Sequence, residues 1–255
     1  MTKRASREYR LFTVERLRRG QAVACDAGQR NYLVNVLRLG EGATVRLFNG
    51  RDGEWRAALR MVSKKVVALE PSEQLRAQTG GPDVTLFFAP LKKERLDYLV
   101  QKATELGARI IQPVITEFTQ SPRLKLERLQ ANVIEAAEQC GVLRLPEMRA
   151  PVALDAALAD WPTSQPLVFC DEAAQVAHPI AALAGLKLPA AVLIGPEGGF
   201  SPAERARVSD LPNSRVISLG PRVLRADTAA VAALTLVSAV AEDWRETPVA
   251  VPAAF

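Results

Sequence analysis

The chain has 255 residues, 48% of them hydrophobic, which suffices for a packed core in one large domain or two modest ones. No uninterrupted apolar run is long enough to span a bilayer, and the basic, polar first ten residues precede no apolar signal region, so a soluble cytoplasmic protein is expected. Cys25, Cys140 and Cys170 are odd in number and far apart, and the one histidine, His178, has no ligand spacing to them, so neither a disulfide framework nor a metal site is expected. The net charge of +5 is unevenly spread: residues 1–80 hold 16 Lys and Arg against 8 Asp and Glu, and the remainder holds 17 against 20. That split favours a polyanion-facing N-terminal module over plain solvated charge.

In chain order, Arg10 to Pro71 alternates short β-like runs with turns. Gln29 to Leu39 has helical spacing at Tyr32, Leu33, Val36 and Leu37, with Gly40 placed to stop it. Thr44 to Gly50 ends in an Asn-Gly turn, Glu54 to Val62 alternates as a strand, and Lys65 to Glu70 follows. A small β-barrel with one helix fits residues 1–74, and Gln74 to Pro82 reads as a linker.

From residue 82 to 247 the pattern becomes strand alternating with helix. Strands are expected at Val84–Ala89, Ile110–Ile115, Leu167–Cys170, Ala190–Ile194 and Val216–Leu219. Helices are expected at Arg95–Leu106, stopped by Gly107, and at Leu124–Gln139, Pro202–Ser209 and Asp227–Trp244. This is the pattern of an α/β domain with a parallel sheet covered by helices on both faces. Ala150 to Ala159 and Val249 to Phe255 are alanine- and proline-biased and are expected at the periphery.

Two segments concentrate the chemistry. Leu193-Ile-Gly-Pro-Glu-Gly-Gly-Phe-Ser201 and Leu219-Gly-Pro-Arg-Val-Leu-Arg-Ala-Asp-Thr-Ala-Ala230 each leave an apolar strand through glycine and proline into a helix. Two such loops one strand–helix unit apart fit the two walls of a ligand site at the C-terminal edge of a sheet. Neither is a P-loop or a Gly-x-Gly-x-x-Gly fingerprint. Glu197 can accept hydrogen bonds from ribose hydroxyls or attract a cation. Arg225 can contact an anion or stabilise developing charge, with Arg222 beside it. Asp227 reads equally well as a plain helix N-cap. Lys92, Lys93, Arg95, Arg123, Lys125 and Arg128 are either solvated helix starts or an extension of the basic surface.

The paired C-terminal motif resembles the signature of the RsmE family of SPOUT-class methyltransferases, which modify N3 of a uridine in 16S ribosomal RNA. Val36–Leu39, Leu47–Gly50, Gln101–Gly107, Glu138–Gly141 and Leu145–Glu147 resemble that family too, so the likeness runs from about Tyr9 to Trp244. It implies a PUA-like barrel followed by a SPOUT-type parallel sheet with a deep trefoil knot, a homodimer, and S-adenosylmethionine as methyl donor. The cofactor contacts it implies fall on Leu193, Gly195, Glu197, Gly198, Gly199, Leu219, Gly220, Leu224, Arg225 and Thr228. The implied catalytic residues are Arg225 first and Arg222 second. The candidate RNA contacts are Arg10, Arg38, Arg51, Lys92, Lys93 and Arg123, against 16S rRNA or the assembled small subunit.

The chain departs from the family pattern at three positions. Asp227 stands where glutamate is usual, and Phe118 and Val142 where arginine is common, leaving Arg123 and Arg144 as substitutes. Alternative readings are a SPOUT enzyme for another RNA position and a non-catalytic RNA-binding assembly protein. A nucleotide-dependent enzyme of ordinary doubly wound fold is a third, disfavoured by the missing phosphate-loop lysine.

Overall fold

The computed structural model describes residues 9–63, 65–120, 123–174 and 178–241. The described chain forms two compact units, residues 9–80 with 138–144 and residues 81–137 with 145–241.

In the first unit β1 (Tyr9–Phe12) runs parallel to β3 (Thr44–Phe48). Antiparallel pairings then join β3 to β4 (Glu54–Met61), β4 to β5 (Val67–Arg76), and β5 to β2 (Val23–Ala24). Alternation sends Val45, Leu47, Ala57, Leu59, Val67 and Leu69 into one core with Leu11 and Leu33. The Asn49 side chain shapes the turn between β3 and β4 by accepting from the Arg51 and Asp52 amides. β5 continues through Pro71 to Arg76, so residues 74–76 are strand and not linker. Pro71 is tolerated because it sits at a register irregularity, where a ladder hydrogen bond is already missing.

The helix expected over 29–39 is shorter and changes pitch. α1 (Ala27–Arg30) starts on an Asp26–Gln29 capping box and passes into a π-helical stretch, Asn31–Val36. It stops at Leu37, before Gly40, and Arg38 takes the left-handed conformation at φ 56°.

The second unit carries a parallel ladder. β6 (Val84–Phe88) lies between β7 (Ile110–Ile115) and β11 (Ala190–Ile194). β8 (Glu147–Met148) and β9 (Val152–Ala153) both pair with β7. β10 (Leu167–Cys170) lies beyond β11, and β12 (Ser214–Ile217) beyond β10. The chain therefore steps from β10 inward to β11 and back across to β12. A reversal of strand order of this kind opens a crevice at the carboxyl ends of the strands.

Helices cover both faces. α2 (Lys93–Glu105), α3 (Leu126–Cys140) and α7 (Ala226–Val240) bury Leu99, Val133 and Leu234 against Leu86, Val192 and Ile194. α4 (Leu154–Ala159) and α6 (Pro202–Ser209) bury Leu158 and Val208 against Phe87, Phe169 and Leu193. The short α5 (Pro179–Ala182) precedes β11, with exposed His178 at its N-cap. Gly107 ends α2 as expected, at φ 79°, with Ala108 N donating to Ala103 O.

Residues 150–159 are not wholly peripheral: Leu154, Ala157 and Leu158 are core, because their i, i+3, i+4 spacing puts them on one helical face. α7 begins at Ala226, so Arg225 is its N-cap and Asp227 lies in its first turn, against the expected N-cap at Asp227. Trp244 and Val249 to Phe255 lie outside the described residues. No helix among the described residues is long and apolar enough to cross a membrane.

Candidate active site

Both glycine loops meet in one cavity of about 560 Å³ at the carboxyl ends of β10, β11 and β12. Its wall includes Gly195, Glu197, Gly198 and Gly199 from the first loop, and Leu219, Gly220, Arg222, Leu224 and Arg225 from the second. Leu193 and Thr228 are not part of it. Strand alternation turns the Leu193 side chain into the core with Phe87 and Phe169, and on α7 it is Ala226 and Ala229 on either side of Thr228 that line the cavity.

The first loop is constrained by close neighbours. A Cβ on Gly195 would come within 2.5 Å of the Phe200 ring, and one on Gly199 within 2.7 Å of Glu172 Oε1. Gly199 also has φ 70°, which glycine adopts without strain. Gly220, at φ 109°, faces open space, so its requirement is conformational only. Ser201 and Glu204 form a capping box at the start of α6, and Glu204 Oε1 also accepts from the Glu117 amide at 2.9 Å. Phe118 packs its Cβ toward Gly198.

Sequence reasoning missed the third wall. Cys170 at the end of β10, and Asp171 and Glu172 just after it, line the same cavity. Their position at the end of a buried strand is the local signal, but only the strand order sets that end beside the glycine loops. Arg205 Nη1 donates to Asp171 Oδ1 at 2.5 Å, Nη2 to Glu172 Oε1 at 2.6 Å, and Nε to the Phe200 carbonyl at 3.1 Å. One guanidinium thus joins the β10 end to the first glycine loop. Burial pushes the Cys170 thiol up to about 12, which keeps it neutral and unreactive.

The electrostatics are two-sided. Carboxylates of Asp171, Glu172 and Glu197 stand on the β10 and β11 side, and Arg222 and Arg225, both exposed, on the loop between β12 and α7. Arg225 is held at the N-cap of α7 with its side chain making no capping bond. Such a cavity suits a ligand with both cationic and anionic groups, and its volume suits a nucleoside-sized molecule. Glu197 also borders a second cleft of about 600 Å³ with Lys92, Lys93 and Arg95, and meets Arg95 Nη1 at 3.4 Å.

Of the other candidate RNA contacts, Arg38, Arg51 and Arg123 are exposed. Arg10 is not: it is 9% exposed and bonded to Glu54, because its strand position points it into a polar pocket of the first unit. It offers no charge to a polyanion at the surface. Among the described residues no cluster of His, Cys, Asp and Glu could hold a metal ion.

Residues 79–238 match the RNA methyltransferase domain, and residues 26–71 the RNA methyltransferase PUA domain. The ribosomal RNA small subunit methyltransferase E of Rickettsia conorii is 32% identical over 81% of this chain and 85% of its own length. This chain belongs to the ribosomal RNA small subunit methyltransferase E family. The family member of Synechocystis is likewise 32% identical, over 86% of this chain and 74% of its own. The Neisseria gonorrhoeae member, solved with bound S-adenosylmethionine, superposes with a TM-score of 0.77 at 27% identity, covering 91% of this chain and 98% of that one. A Legionella pneumophila protein solved in complex with the same cofactor gives 0.78 at 31% identity, with the same coverage. The first unit is accordingly the PUA-like module and the parallel sheet the catalytic domain of this family.

Proposed function

We propose that this protein transfers a methyl group from S-adenosylmethionine to N3 of a uridine in 16S ribosomal RNA, within the cytoplasm and as a homodimer. The observation that carries this reading is the single cavity walled by both glycine loops, with Arg222 and Arg225 along one side. Two structures of SAM-bound proteins that overlay 91% of the chain support the choice of cofactor. The knot implied by the motif pair belongs to this proposal, as does the division into an RNA-reading module over residues 1–74 and a catalytic domain over residues 82–247.

When bound, S-adenosylmethionine supplies an activated methyl group. Gly195, Gly198, Gly199, Leu219, Gly220 and Leu224 bring backbone and apolar surface close to the nucleoside, and Glu197 takes the ribose hydroxyls. Uridine N3 must lose its proton before it can attack. Arg225, and second Arg222, stabilise the resulting anion of the base from the exposed wall. N3 is a pairing atom, so the target nucleotide enters unpaired or flipped out. In this reading Lys92 and Lys93, exposed in the cleft that shares Glu197, take flanking phosphates, and the exposed Arg123, and Arg38 and Arg51 of the first unit, are further candidate phosphate contacts.

The test is incubation with S-adenosylmethionine and undermethylated small subunits, followed by mapping of reverse-transcription stops. A new stop at one uridine is expected, absent with Arg225→Ala. No stop with the wild type removes the reading, and full activity of the variant removes Arg225 from its role. Naked RNA run in parallel shows whether the substrate is the assembled particle.

A further inference from the structure

We infer that Asp171 is the residue that receives the ammonium group of the donor's amino-acid end. The inference rests on the reading that the cavity takes S-adenosylmethionine. Asp171 lies immediately after β10, and its side chain is about nine-tenths buried while lining the cavity. Oδ1 is fully engaged, accepting from Arg205 Nη1 at 2.5 Å and from the Ala173 amide at 3.1 Å. Oδ2 has no hydrogen-bond partner among the described residues, and it is not sealed off from the cavity. A carboxylate oxygen that opens onto the cavity without a protein donor is free to accept from a bound ligand.

Local charge selects the kind of donor. Arg205 is shared between Asp171 and Glu172, so one positive charge serves two carboxylates and a negative excess remains. A cation complements that excess. Glu172 and Glu197 are poorer candidates because their side chains are about half exposed, 48% and 42%, where water competes for them. The donor molecule carries two cations, an ammonium and a sulfonium. Only the ammonium has N–H groups to give a carboxylate oxygen. The sulfonium must also leave its methyl open to an incoming base, which an enclosed side chain would obstruct. The same enclosure argues against Asp171 as the base that removes the uridine proton.

Titration calorimetry with three ligands separates the possibilities: S-adenosylmethionine, S-adenosylhomocysteine, which keeps the ammonium but has no sulfonium, and methylthioadenosine, which lacks the amino-acid end. Asp171→Asn is expected to weaken the first two about ten- to a hundred-fold, the range of a charge-assisted hydrogen bond, and to leave the third unchanged. Loss confined to S-adenosylmethionine would overturn the assignment in favour of the sulfonium. Equal loss for all three, with or without a lower melting temperature of the free protein, would overturn it in favour of a nucleoside contact or a structural role. No loss for any ligand would also overturn it. Asp171→Glu keeps the charge but displaces it by a methylene, and should reproduce the ligand-selective loss if the asparagine variant does not fold. Wild-type protein that binds none of the three would instead bring down the cofactor reading itself.

Discussion

The Arg10 guanidinium donates from Nε to Glu54 Oε1 at 2.5 Å, with side-chain exposures of 5% and 1%. Arg10 also lies 4.3 Å over the Phe48 ring and donates to the carbonyls of Glu138 and Val142. Arg46 and Arg76 approach the other Glu54 oxygen at 3.5 and 3.7 Å. Glu54 is therefore a buried anion facing three guanidiniums. Glu54→Ala removes a buried carboxylate that all three share and should cost about 3–5 kcal/mol in urea denaturation. Glu41→Ala, which breaks an exposed pair with Arg60, should cost at most about 1 kcal/mol. Equal losses would show that burial of the Glu54 cluster contributes nothing special.

Glu204 accepts from the Ser201 and Glu117 amides, both at 2.9 Å, and so ties the loop after β7 to the start of α6. Glu204→Ala leaves one buried and one part-buried amide without acceptors, at an expected cost of about 2–4 kcal/mol. Hydrogen exchange at the Glu117 and Ser201 amides should rise together. Exchange that rises at Ser201 alone would refute the bridge.

Gly199 combines φ 70° with a Cβ position 2.7 Å from Glu172 Oε1. Gly199→Ala must strain the backbone and displace Glu172 from Arg205, so cofactor affinity should fall at least tenfold, with about 1–3 kcal/mol lost in stability. Gly220→Ala meets only the conformational penalty, because open space surrounds its Cβ position. Calorimetry on both variants checks the order. A larger affinity loss at Gly220 would contradict it.

The two glycine loops were legible because glycine, proline and a preceding apolar run are all local in sequence. So were strands such as Ala190–Ile194, whose five side chains are all buried and therefore all apolar. Asp171 was not legible as part of the site, since its place beside the loops follows from the order β12-β10-β11, a long-range fact. Arg10 looked like surface charge because nothing local announces the buried Glu54, 44 residues later. The end of the helix at Leu37 was missed for a different reason: the switch to i to i+5 hydrogen bonding leaves no mark on the apolar spacing. The N-cap expected at Asp227 lies two residues too late because Arg225, a poor capping residue, occupies that position.

Cys170 is enclosed at the end of β10, and desolvation of its thiolate raises it from 9.0 to about 12. A group raised in the folded state keeps its proton there while the unfolded chain loses it. Its contribution is therefore fully present below pH 9 and declines as pH rises from about 9 toward 12. Cys25, half-buried near Asp26 and raised to about 11, acts in the same direction over a narrower window. Stability measured by urea denaturation should fall across this range, and Cys170→Ala should flatten the slope even though it loses some packing at neutral pH. Labelling of folded protein with iodoacetamide at pH 8 should spare Cys170 until urea is added. Rapid labelling of Cys170 in the native state, or an unchanged alkaline slope in the variant, would show that its thiolate is reached without unfolding.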